Sequence, residues 1–95
     1  MTKAVLTVIG QDRVGIIAAV SRMLADAQVN ILDISQTTMQ DIFTMTMLVD
    51  VTAITGTAEA DRFRQLSEAL EALGESMNLK IQLRHVDIFN AMHKI

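Results

Sequence analysis

The sequence predicts an α+β domain in which two helices cover one face of a four-stranded antiparallel sheet. Three observations predict it. Apolar residues recur at spacings of three and four in two separate stretches, one carrying Ile17, Val20, Leu24 and Ala27 and the other Phe63, Leu66, Leu70, Leu73 and Met77. Around those stretches lie four runs that are rich in β-branched residues or apolar at every second position, the mark of strands. The chain has 95 residues, room for one core and not for two, so residues 1–95 are read as a single domain.

Taken in order, residues 2–9 are mainly Val, Ile, Leu and Thr and stop at Gly10. They read as a buried strand with apolar residues on both faces. Gly10-Gln11-Asp12-Arg13-Val14-Gly15 then leads into the first helix, with Ile16 and Met23 beside its apolar stripe. Asp12 is placed to be the N-cap, its carboxylate accepting a hydrogen bond from a first-turn N–H. Asn30 opens a second strand, 31–39, and Gln40-Asp41 form a tight turn into a third. There Phe43, Met45, Met47, Val49 and Val51 share one face, while Thr44, Thr46, Leu48 and Asp50 share the other. Residues 52–57 read as a loop. The second helix turns Arg64, Glu68, Glu71 and Glu75 to water, and Glu59 and Asp61 suit its positive N-terminal end. Gly74 falls inside or near the end of that helix, at a cost of up to ~1 kcal/mol relative to Ala. In residues 79–86 Leu79, Ile81 and Leu83 alternate with Lys80, Gln82 and Arg84, a fourth strand. Asp87 can then cap a short amphipathic tail helix with Ile88, Phe89, Met92 and Ile95. The order is the ferredoxin-like βαββαβ unit plus a short C-terminal helix, and it leaves one sheet face open unless something covers it.

Composition removes several functions. With no Cys, the chain builds no disulfide scaffold, iron–sulfur cluster or thiolate zinc site, and it cannot be a cysteine-dependent electron carrier. Lys+Arg 8 against Asp+Glu 11 leaves a net charge of -3, which makes no electrostatic case for nucleic acid or an anionic membrane. Aromatic residues are 3% of the chain, and Phe43 alone lies on the middle strands, too few for an RNA-stacking platform. No stretch approaches the ~20 apolar residues of a membrane span, and no secretory cleavage site follows the first strand. A cytoplasmic protein is the expectation. Hydrophobic residues are 51%, above what a domain this small needs, which points to a subunit interface.

No cofactor or metal is expected. Met39, Met45 and Met47 read as apolar filling rather than a Cu(I) site. His85 and His93, with Asp87 nearby, lack metal-ligand spacing. The segment with chemical content is Gly10 to Ile16, where a strand end feeds a helix N-terminus through two glycines. Backbone N–H groups and the positive helix end converge there on a place that suits a small anion such as a carboxylate. Glycines at such turns are common, and Asp12 caps the helix with or without a ligand.

At these residues the sequence resembles the ACT domain family. The resemblance runs through Gly10-x-Asp12-Arg13-x-Gly15-Ile16, Asn30-Ile31 and Asp87-Ile88-Phe89-x-Ala91-Met92. The last motif is similar to the stand-alone, single-domain group of bacteria and archaea. The loop is similar to those in the ACT regions of the glycine cleavage repressor and formyltetrahydrofolate deformylase. The resemblance implies a non-catalytic regulatory homodimer that binds an amino acid or related small effector near the subunit boundary. Gly10 and Gly15 would shape the loop, and the amides around Arg13, Val14, Gly15 and Ile16 would hold a carboxylate. Asp12 would face an α-ammonium group, and Asn30, next to Ile31, would read the ligand from the neighbouring subunit. Many members of that family have Pro where this chain has Val14, so the loop is less rigid here. Structural roles stay open beside these: Asp12 as a cap, Asn30 as the end of the helix, Arg13 as a solvated charge.

Two other functions are weighed against this one. A pure interaction module would regulate a partner enzyme or transcription factor with its loop empty. An acylphosphatase-like hydrolase would need an arginine aimed into the loop and an asparagine to orient water. Arg13 comes too early in the loop for that task, and Asn30 opens its strand rather than ending it.

Overall fold

Alternating burial along Lys3–Gln11 makes the first strand, β1. The computed structural model describes residues 2–11, 15–54 and 60–86. Helix α1 spans Ile16–Asp26, strands β2 and β3 span Asn30–Met39 and Ile42–Asp50, helix α2 spans Ala60–Ser76 and strand β4 spans Leu79–His85. The strands form one sheet in the order β2-β3-β1-β4, and every neighbouring pair is antiparallel. Both helices pack on one face, so the βαββαβ reading holds.

β1 runs two residues past its expected end. Gly10 pairs with Phe43 on β3 and Leu79 on β4, and a Cβ there would overlap the Leu79 side chain. Glycine here is a strand residue that makes room for its neighbour, not a stop. α1 also departs from expectation. Its N-cap position is Gly15, with no side-chain cap hydrogen bond, because a cap must immediately precede the first helical residue. Asp12 stands too far upstream to hold that position; Asp12, Arg13 and Val14 lie outside the described residues. Ile16, Val20 and Leu24 are the buried line of α1, with Met23 and Ala27 packed against the core. Ile17, one residue out of phase, is 40% exposed.

α1 ends through Gln28, which has φ 63, and the N–H groups of Gln28 and Val29 turn back to the carbonyls of Ala25 and Leu24. The helix-ending role considered for Asn30 therefore belongs to Gln28. The tight turn at Gln40-Asp41 is present, with Gln40 at φ 54.

The core lies between helices and sheet. Phe43, Met45, Met47 and Val49 are buried on one face of β3, together with Leu6 and Val8 of β1 and Leu66 and Leu70 of α2; Val51, expected on the same strand face, is buried just past the end of β3. Met45 and Met47 are sealed, whereas Met39 is 70% exposed, so the three thioethers do not converge on a metal. Gly74 lies inside α2, buried against β4. The proposed tail helix from Asp87 falls outside the described residues, as does Glu59.

Residues 52–54, expected as loop, form a 3₁₀ turn. Asp50 organises it. Its Oδ1 accepts hydrogen bonds from the Thr52 hydroxyl at 2.5 Å and the Thr52 N–H at 3.0 Å. The Thr52 Oγ1 in turn accepts from the Thr2 N–H at 2.8 Å, and Ile54 is buried by the turn. The Thr52 hydroxyl first, then its N–H, hold the Asp50 carboxyl below the usual carboxylate range, with Lys3 adding to the effect. A folded-state pKa below the unfolded one gives stability that is present above the unfolded value and lost as pH falls through the folded one. Thr52→Val is accordingly expected to lose less stability between pH 6 and pH 3 than the wild type, read from urea unfolding midpoints.

Candidate functional site

The junction of β1 and α1 combines a required glycine with open space. Gly15 has φ 91, a left-handed conformation that side-chain-bearing residues rarely adopt. A Cβ added there would meet nothing within 4 Å, so the backbone angle and not packing demands glycine. The first intrahelical bond runs from the Ala19 N–H to the Gly15 carbonyl at 3.0 Å. By helix geometry the amides of Ile16, Ile17 and Ala18 precede that ladder and have no intrahelical acceptor. They carry the positive end of the helix dipole toward the open side of Gly15. Ile16 is 2% exposed, so it can offer a ligand its amide and not its side chain.

Asn30 and Ile31 stand elsewhere. Asn30 pairs with Asp50, which pairs with Lys3 at the start of β1, whereas Gly10 pairs with Phe43, which pairs with Thr38 near the end of β2. Seven residues of strand rise and two strand spacings separate Asn30 from Gly10, roughly 25 Å. Within one chain the two halves of the expected site do not meet. Asn30 and Ile31 instead line an open groove of about 540 Å³ with Ser21, Ala25, Gln28, Val29 and Ala53. Among the described residues no charged side chain lines it; Ser21, Gln28 and Asn30 supply neutral donors and acceptors. Ser21 and Gln28 were not legible as site residues, because only the return of the chain after α1 sets them beside β2.

β2 is an exposed edge along most of its length. Leu32 and Ile34 on it are 42% and 39% exposed. A register shift between Ile31 and Asp33 marks a bulge, and the Asp33 carboxylate accepts the Ile34 N–H at 2.9 Å.

Among the described residues no cluster of His, Asp and Glu could hold a metal. The His85 ring stacks on Phe63 with centroids 4.1 Å apart, a packing role, and His93 lies outside the described residues. Phe43 is buried and offers no base-stacking surface. No helix among the described residues is long and apolar enough to cross a membrane.

Two helices over a β2-β3-β1-β4 sheet, with a left-handed glycine opening the first helix, make the ferredoxin-like fold of the ACT domains, a family of regulatory small-molecule-binding modules. The ACT domain family profile matches residues 2–84, and the chain belongs to that family. It is 46% identical over 95 residues to a UPF0237 protein of Methanocaldococcus jannaschii, covering 100% of both chains. An ACT domain protein from Streptococcus pneumoniae superposes with a TM-score of 0.76 at 38% identity, over 93% of each chain. A structure described as a glycine cleavage system transcriptional repressor superposes with a TM-score of 0.70 at 26% identity, over 90% of this chain and 46% of that one. Formyltetrahydrofolate deformylase from Burkholderia mallei shares the fold at 17% identity, with a TM-score of 0.76 over 90% of this chain and 29% of its own.

Proposed function

We propose that this protein is a non-catalytic regulator that works as a homodimer and binds an amino acid or related small effector at the start of α1. The observation that carries the reading is Gly15, whose left-handed backbone leaves open space beside first-turn amides that have no intrahelical acceptor. A ligand carboxylate would sit there, held by the amides of Gly15 and Ile16 and those of Arg13 and Val14, with Asp12 facing the ammonium group. A second subunit supplies what one chain lacks. Antiparallel pairing of β2 with its own copy, centred near Ser35, reverses the strand and sets the partner's Asn30 level with Met39 and Gln40. Gln11 and Met39 both pair with Ile42, so that level is where β1 hands over to the loop. Leu32 and Ile34 give such an edge apolar surface to bury.

The test is thermal unfolding of the purified protein with a panel of amino acids and related metabolites. At a ligand concentration near 100 times Kd, binding to the native state adds ~2.7 kcal/mol, which raises Tm by several degrees. One compound is expected to raise Tm, and Asp12→Ala and Asn30→Ala are each expected to abolish that rise. A panel without any shift would overturn the ligand reading and leave dimerisation onto a regulated enzyme or transcription factor as the module's task.

A further inference from the structure

The two edges of the sheet differ in chemistry. β2 bounds one side and β4 the other, and among the described residues β4 pairs only with β1. An edge strand turns the N–H and C=O groups of alternate residues away from its neighbour, so β4 keeps a row of them without a strand partner. Beside that row runs an open groove of about 230 Å³, lined by Glu71 and Glu75 of α2 and by Leu79, Lys80, Ile81 and Gln82 of β4. The Leu79 and Ile81 side chains are buried in the core, so these two residues present backbone to the groove.

The walls of the groove follow from the sequence. Gly74 lets α2 cross close to Leu79 and Ile81, which holds Glu71 and Glu75, one turn apart on the same side of the helix, beside the strand. With Leu79 and Ile81 turned to the core, strand alternation puts Lys80 and Gln82 on the opposite face of the sheet. Among the described residues, Glu71, Glu75 and Lys80 make no ion pair. The edge thus has two carboxylates on its helix side, an ammonium group on its other side and strand backbone between them.

We propose that this edge takes an extended segment of another protein as a fifth strand, with Lys or Arg at positions i and i+2 and an acidic residue between them. Spacing and charge argue for that occupant. Residues four apart on a helix are separated by about 6 Å along its axis, and residues two apart on a strand by about 6.8 Å. Two basic side chains on the helix side of an added strand therefore reach Glu71 and Glu75 together. The residue between them points to the other face, where an acidic side chain lies beside Lys80. A second copy of this chain does not fit. Pairing β4 with itself brings the Glu71 and Glu75 carboxylates of two subunits together across the junction, whereas β2, with Asp33 as its one charged residue, carries no such guard. The net charge of -3 favours approach of a basic segment. The contact lies on the opposite edge from β2 and does not depend on an effector at the start of α1.

The probe is the capped peptide Thr-Val-Lys-Glu-Lys-Val-Thr, with the charge-reversed Thr-Val-Glu-Lys-Glu-Val-Thr as its control, each fluorescently labelled and titrated with the full chain at low salt. The first is expected to bind at least about ten-fold more tightly than the second and to weaken as salt is added. Glu71 and Glu75 are exposed, so their substitution leaves the core intact. Glu71→Lys and Glu75→Lys are each expected to weaken the first peptide about ten-fold, and the double variant to prefer the second. Hydrogen exchange separates strand addition from adhesion to an acidic surface: alternate amides of β4 are expected to gain protection when the first peptide binds. Three results would each overturn the proposal. They are no preference between the peptides at millimolar concentration, binding that leaves β4 exchange unchanged, and β4 amides protected in the free protein in step with its own concentration, which would put a second copy on the edge.

Discussion

Leu24→Ala lowers the stability of this protein by about 2–5 kcal/mol, while Ile17→Ala, on the same helix, costs less than about 1 kcal/mol. Leu24 is completely buried and Ile17 is 40% exposed. Truncating Leu24 removes side-chain contacts with the core and leaves a void that the rigid surroundings only partly close. Ile17 has water on one side, and little of its surface changes environment. A domain of this size has about 5–14 kcal/mol of stability in total, so the first substitution removes a large share of it. Its Tm is expected to fall by roughly 10 °C or more. Urea unfolding of both variants checks the contrast; equal losses would mean that α1 is rotated about its axis from the orientation described.

That contrast also shows how far the sequence reading of α1 reaches. A helix is legible because water lies on one side and the core on the other, which imposes a period of 3.6 residues. Ile16 and Ile17 are both apolar, so the pattern admits two phases one residue apart at the first turn, and packing against the sheet selects Ile16. β3 presents no such tie, because Thr44, Thr46 and Leu48 alternate strictly with the buried residues. Its buried face was therefore legible residue by residue. The sequence reads β1 as ending before Gly10, because glycine ends strands more often than it sits inside them. What keeps it inside is the Leu79 side chain, 69 positions away in the chain.

The candidate site was legible as chemistry and not as geometry. Gly15 could be named in advance, since a strand-to-helix turn with glycine is a local feature. The distance between Asn30 and Gly10 could not, because it depends on β3 lying between their strands and on α1 running the length of the sheet. Residues that form one motif along the chain stand at opposite ends of the fold, and this turns a question about a ligand into a question about a second subunit. The groove residues Ser21 and Gln28 carry no local signal either.

Gly74→Val destabilises the protein by about 3 kcal/mol, against the sign that local helix preference predicts. Glycine in a helix interior is a liability, and replacing it gains up to ~1 kcal/mol with Ala and less with β-branched Val. Here α2 crosses β4 at this residue. A Cβ would stand 2.8 Å from the Leu79 carbonyl oxygen and 3.2 Å from the Ile81 nitrogen, with the Ile81 Cγ1 at 3.0 Å. Two of those three atoms are backbone of a paired strand, which cannot turn aside as a side-chain end can. Relief therefore requires α2 to lift from the sheet, and lifting it loosens Leu70, which is fully buried below. Gly74→Ala meets the same backbone atoms without the branching and is expected to lose less than Gly74→Val while still falling below wild type. Chemical denaturation of the two variants ranks them. A Gly74→Ala protein more stable than wild type would mean that helix propensity governs this position and that the close crossing of α2 over β4 does not.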